Sequence, residues 1–120
     1  MKVAVCAKSQ GIKASTDDRF GRCEYFLIYD NETKEYKAVA NKGVASSQGA
    51  GIAAASQVID ENVSAVITGN LGPNAFELIE KAGIKAYGCE AVPVYRAVEM
   101  FQKDQLTAVS FAGRAHQGMR

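Results

Sequence analysis

The sequence is poor in the residues that most often build catalytic and metal centres. Among 120 residues there is one histidine, His116, in a glycine-containing stretch near the end. A solvated side chain is the ordinary outcome there, and no Ser/His/Asp set can be assembled around it. Cysteine is limited to Cys6, Cys23 and Cys89, an odd and widely spaced set. They form no Cys-x-x-Cys pair and no Cys/His pair at zinc spacing. An excess of one charge is also missing: 14 basic against 13 acidic residues give a net charge of +1. No bulk field therefore argues for nucleic acid or an anionic membrane as partner. No apolar run approaches membrane-spanning length, and the opening MKVAVCAKSQ is too briefly apolar for a signal peptide. These absences point to a cytoplasmic protein with reduced thiols. Carboxylates are absent from residues 2–7 and 63–68, two candidate strands, which removes support for two-metal nuclease chemistry.

What is present fits one soluble domain: 48% of residues are apolar and 22% charged. Weak alternation predicts a first strand over residues 2–7, after a short N-terminus. Aromatic and branched residues predict a second over 23–29, and turn residues at 30–33 join it as a hairpin to a third over 35–40. The period then changes. Ile52, Ala55 and Ile59 share one helical face, and 63–68 reads as a fourth strand. Pro73 begins a second helix with the stripe Phe76, Ile79, Ala82, which Gly83 ends. Residues 84–87 form a fifth strand, and Pro93 opens a third helix with Val94, Ala97, Val98 and Phe101 at helical spacing. After Leu106 the periodicity is lost, so residues 107–120 are expected as a flexible basic tail behind a domain of residues 1–106.

The order β-β-β-α-β-α-β-α implies an α/β fold with a mixed sheet and right-handed crossovers. The expected arrangement is five strands in the order 3-2-1-4-5, with strand 2 antiparallel. It brings the segment 8–22 and the glycine-rich runs 43–51, 69–72 and 88–92 to one rim, where ligands bind in open α/β sheets. Three helix N-termini also meet there, each with unpaired N–H groups and partial positive charge. The stretch TDDRFGRC, Thr16 to Cys23, adds Arg19 and Arg22 as fork-shaped donors. Candidate binding residues for an anion are thus Arg19, Gly21, Arg22, Cys23, Gly49, Gly51, Gly69, Asn70 and Gly72. Cys6, Cys23 and Cys89 map to the same rim as candidate soft ligands for a metal–sulfur group. The competing readings are buried inert thiols, glycines serving only turns and packing, and arginines paired with Asp17 and Asp18.

Phe20-Gly21-Arg22 with Tyr25-Phe26-Leu27-Ile28-Tyr29-Asp30, Gly49-Ala50-Gly51-Ile52, Thr68 to Phe76, and Ala82-Gly83-Ile84-Lys85 together resemble the dinitrogenase iron–molybdenum cofactor biosynthesis domain family. The resemblance covers residues 1–106. It implies a ribonuclease H-like fold and a non-enzymatic carrier or accessory role. The implied cargo is a metal–sulfur cluster or its precursor: iron–molybdenum cofactor or, in the similar orange-protein branch, a molybdenum–copper sulfide cluster. Cluster donor and acceptor proteins are the implied partners. Family members often carry histidine before Phe-Gly-Arg, where this sequence has Arg19. A guanidinium cannot ligate a metal, which favours electrostatic holding. A regulatory or protein-interaction module without metal is the alternative.

Overall fold

Residues 2–7, KVAVCA, are apolar at both odd and even positions, and such a strand needs cover on both faces. The computed structural model describes residues 1–45 and 49–109. In it these residues form β1 (Lys2–Ala7), fully buried from Val3 to Ala7. β1 lies between β2 (Tyr25–Asp30), antiparallel to it, and β4 (Ala65–Thr68), parallel to it. β3 (Glu35–Ala40) pairs antiparallel outside β2, and β5 (Lys85–Gly88) parallel outside β4.

The sheet has six strands, not the five expected, in the order β3-β2-β1-β4-β5-β6. The addition is β6 (Thr107–Ala108), which pairs antiparallel with β5 through Gly88 and Tyr87. Two residues are too few to show any period, so nothing in the sequence marked them as a strand. The other five strands have the expected order and directions. Their starts are corrected by one or two residues: Cys23, Val63 and Ile84 lie outside the strands, in the connections that lead into them. The remainder of the expected basic tail, including Arg114, His116 and Arg120, lies outside the described residues.

Alternation along the strands feeds two cores. On one face Ala4, Cys6, Phe26, Ile28 and Val66 pack against Ala54, Ala55 and Val58 of α1 (Ala50–Asp60) and Ala75 and Ile79 of α2 (Pro73–Lys81). On the other, Val3, Val5, Leu27, Tyr29 and Ile67 pack against Val94, Ala97 and Val98 of α3 (Val94–Gln102). The stripe expected for α1 is rotated. Ile52 is 45% exposed, whereas Ala55 is buried as expected, Ile59 packs against the core half-buried, and Ala54, Gln57 and Val58 join the buried face. Gln57 is kept inward because it accepts from Lys42 N (2.9 Å) and donates to Ala40 O (2.7 Å), tying the end of β3 to the helix.

Candidate functional site

β1, β3, β4 and β5 end at one rim, and the loops that leave it are bonded to one another. The loop after β1 turns back at Gly11 and crosses the start of α3. There Val94 N donates to Ala14 O (2.9 Å) and Tyr95 N to Ile12 O (3.0 Å). Thr16, buried, fixes the crossing: its hydroxyl donates to Glu90 O and accepts from Val92 N, both at 3.2 Å. The last of the three expected helix N-termini, that of α3, is therefore already satisfied by protein carbonyls.

Asp17 follows, its amide on Cys6 O (2.8 Å) and its carboxylate buried. That carboxylate accepts from Arg19 N (3.0 Å), Arg19 Nε (3.2 Å) and Arg19 Nη2 (3.2 Å). Burial opposes its ionisation, but the hydrogen bonds and charge of Arg19 prevail and hold the carboxyl below its ordinary range. Arg19 is thus a positioned cation rather than a free one, and its backbone bridges to Asn70 of the β4–α2 turn. Gly69 in that turn lies flat on Asp18, where any side chain would collide.

Arg19 O then accepts from Arg22 N (3.2 Å) and Cys23 N (2.8 Å), which closes a tight turn. The turn sorts its side chains. Phe20 and Cys23 point into the core, with the Phe20 ring tilted against that of Phe26 at 5.4 Å between centroids. Arg22 points outward and reaches Val44 O (3.3 Å). Gly21 sits against the start of α1, where an added Cβ would lie 2.9 Å from Gly51 N. Asn41, buried and not singled out by the sequence, holds this turn from the far side. Its amide donates to Phe20 O (3.1 Å) and Cys23 Sγ (3.5 Å), and its carbonyl accepts from Gly43 N (2.8 Å). Gly43 begins the buried side of a 3-10 turn (Lys42–Ala45) and is wedged against Ala50 O and Gly21 O.

What these contacts leave open is a cleft of about 270 Å³ between the starts of α1 and α2, lined by residues 49–52 and 72–75. Both N-cap positions are glycine, Gly49 and Gly72. Neither helix has a side-chain cap or an acidic residue in its first turn. First-turn N–H groups have no acceptor within their own helix, and the two partial positive ends add. Gly49 has φ +69°, which suits glycine. A Cβ added at Gly51 would make ordinary contact with the Ala75 methyl at 3.4 Å. Gly49, Gly51 and Gly72 therefore line the cleft, whereas Gly21 and Gly69 serve close packing behind it.

The three thiols do not converge. Cys6 and Cys23 are fully buried in the core on the α1/α2 face. Burial, then the hydrogen bond and charge of Cys23, push the Cys6 thiol well up, against the opposing Thr68 hydroxyl. Cys89 lies half-buried on the α3 face, its thiol raised by burial and by Glu90. It borders a separate hollow of about 250 Å³ with Lys8, Thr16 and Asp18. No group of three or more Cys, His, Asp or Glu could hold a metal ion among the described residues. No helix among them is long and apolar enough to cross a membrane.

The model of the dinitrogenase iron-molybdenum cofactor family matches residues 1–104. The chain belongs to that family. It is 30% identical over 90 residues to an uncharacterized protein of Methanocaldococcus jannaschii, covering 72% of this chain and 76% of that one. The apo orange protein of Desulfovibrio gigas superposes with a TM-score of 0.89 at 32% identity, over 94% of this chain and 96% of the other. A Thermotoga protein described as a candidate NifB protein gives 0.83 at 32% identity, over 94% and 97%. Membership associates the chain with cofactor and accessory proteins rather than with a named reaction.

Proposed function

We propose that this protein is a carrier for an anionic metal–sulfur cluster or its precursor, held in the cleft between the starts of α1 and α2. The guest is of the iron–molybdenum or molybdenum–copper sulfide class, passed between donor and acceptor proteins. The observation that carries this reading is the pair of uncapped helix starts opening on one cleft with no acidic lining residue. Such an end holds a phosphate-like anion through backbone N–H groups alone. The donor set suits a thiometallate better than a bare cation, because N–H groups point in and no carboxylate does. Asn74 adds an amide at the wall. Gly49, Gly51 and Gly72 let a bulky guest approach the backbone. Arg22 beside the 3-10 turn and the Asp17-anchored Arg19 beside Asn70 contribute cationic field at the edge, not ligation. The buried Cys6 and Cys23 and the distant Cys89 take no part in first contact with the guest.

Tetrathiomolybdate, alone and with copper(I), is the direct probe, titrated without oxygen and read by visible absorption and by the melting temperature. Binding is expected to shift both. Gly72 has φ −69° and open space where a Cβ would stand, so Gly72→Asp adds a capping carboxylate without strain. That variant should melt no lower than the parent and lose binding at least about tenfold through charge repulsion and occupied donors. Arg19→Ala with Arg22→Ala should weaken binding less. Undiminished binding by Gly72→Asp, or no binding by the parent at all, overturns the cleft as the site. In the second case the exposed Val44 and Ile52 at its border favour a protein-docking face.

A further inference from the structure

Carrying a guest in the cleft leaves a second hollow unused. It is a groove of about 360 Å³ between α2 and the β5–β6 edge, lined chiefly by Phe76, Ile84, Ala86 and Val109, and also by Glu80 and Lys85. Ile84 and Ala86 are buried, but Phe76 and Val109 stay half-buried although both pack on the α1/α2 core. Apolar side chains are thus left partly uncovered along one edge of the sheet. A cavity of about 150 Å³ holds a benzene ring, so the groove has room for an aromatic side chain.

The described residues end at Val109, in the wall of this groove, and residues 110–120 follow it in the chain. The ladder sets where that continuation starts. Tyr87 pairs with Ala108 and Gly88 with Thr107, and Val109 N donates to Ala86 O (2.8 Å). In an antiparallel pair each step forward on one strand is a step back on the other, so the same register sets Ser110 opposite Lys85 and Phe111 opposite Ile84. Side chains alternate between the two faces. Tyr87, opposite Ala108, packs on the α3 core, and Val109 packs on the α1/α2 core. The register therefore assigns Ser110 to the α3 face, with the exposed Lys85, and Phe111 to the α1/α2 face, where the groove opens.

We propose that Ser110 and Phe111 extend β6 along β5 and that the Phe111 ring fills this groove, strapping the end of the chain to α2. Phe111 N meets Ile84 O as Val109 N meets Ala86 O. Ile84 N is already held by Ile79 O (2.9 Å), so the added pair gains one backbone bond. The extension stops there, because Gly83, at φ 80°, turns the chain away from the edge. The strap covers the half-buried Phe76 and Val109 and lengthens an edge strand of two residues. Phe76 N also closes the first turn of α2 on Gly72 O (2.9 Å). The ring therefore braces α2 directly beside the residues that line the cleft.

The test uses the full chain, isotope-labelled for NMR. Nuclear Overhauser contacts are expected from the Phe111 ring to the Ile84 and Val109 methyls and to the Phe76 ring, with slow hydrogen exchange at the Phe111 amide. Phe111→Ala should remove these contacts, move the Ile84 methyl shifts as the ring current is lost, and lower the melting temperature by at least about 3 °C. Phe111→Leu should recover most of that loss. A sample that mixes labelled with unlabelled chains tells the chain's own ring from a neighbour's. Contacts seen only between chains overturn the proposal and assign the groove to a second copy. Absence of ring contacts in the parent, or Ile84 methyl shifts that Phe111→Ala leaves in place, overturns it outright. No arm involves a bound anion, so the strap and the carrier reading fail independently.

Discussion

The two ends of the sheet are built by different means. At the amino-end rim the connections turn chiefly through their own residues, although Asn31 is also joined to Met1 and Gln102. The β2–β3 turn uses Asp30 Oδ1 as acceptor for Glu32 N (2.8 Å) and Thr33 N (3.4 Å), and Lys34 takes a left-handed conformation at φ 66°. The α1–β4 and α2–β5 turns use Asn62 (φ 60°) and Gly83 (φ 80°) in the same way. At the carboxyl-end rim the loops close on one another instead. Thr16 reaches residues 74 and 76 positions away, Asn41 reaches back to Phe20, and Gln57 reaches back to Ala40. Glycines there serve close backbone contact more often than left-handed turns. The difference separates turns that shape the chain from a network that shapes a site.

The contrast is broken most directly by adding one methyl group at each rim. Gly43→Ala puts a Cβ 2.5 Å from Ala50 O and 2.6 Å from Gly21 O, both backbone atoms that cannot swing aside. Overpacking of this kind costs roughly 1–3 kcal/mol or more, so thermal melting should fall by at least about 5 °C. Gly83→Ala meets no atom within 4 Å, and its cost is confined to the left-handed backbone, about 1–2 kcal/mol. Gly11→Ala has neither problem and should be neutral within about 0.5 kcal/mol. A Gly43→Ala protein that melts with the parent would show that the two rims do not differ in this way.

Asn41→Ala is the next largest effect. It removes the bonds that join Phe20 O and Gly43 N through one buried side chain. Buried partners left unsatisfied cost about 1–3 kcal/mol. The loss should appear in urea melts, and hydrogen exchange should speed up at Gly43 while amides of the β2–β3 turn stay as they were.

The smallest effect is the one that depends on acidity. The Asp17 carboxyl lies below its ordinary range when folded. Its ionised form therefore stabilises the fold above the unfolded value of about 4, and that contribution disappears as pH falls through the folded value. Asp17→Asn should be less stable than the parent at pH 7, and the gap should close on going to pH 3. Chemical denaturation at the two values checks this, and a gap that widens in acid would mean that Arg19 is not what anchors the carboxylate.

These differences also explain how much could be read in advance. Strand order and direction, the three helices and their relation to one rim were legible, because Tyr25 to Tyr29 and Val94 to Phe101 carry their periods locally. Gly49 and Gly72 were legible as residues next to helix starts. The sequence alone leaves the pairing of Arg19 with Asp17 open, because the burial of Asp17 that makes it necessary depends on the folded rim. Asn41 and Gln57 were not legible. Each sits in ordinary polar surroundings in the sequence and acquires its role from partners 17 to 21 residues away. The satisfied start of α3 was hidden for the same reason, since its acceptors Ala14 and Ile12 are main-chain carbonyls with no signature of their own. β6 was missed because its pairing is dictated by the edge of β5 rather than by Thr107 and Ala108.

The Thr16 clasp has a kinetic meaning. It joins the first loop to a segment that emerges from synthesis 74 to 76 residues later, and contacts of such separation form slowly because they must overcome the entropy of closing a long loop. The early hairpin can assemble while the rest of the polypeptide is still being made, but its exit loop has nothing to fasten to. The carboxyl-end rim is thus fastened only once residues 90–92 have been made, and a shorter nascent chain carries its first loop untied.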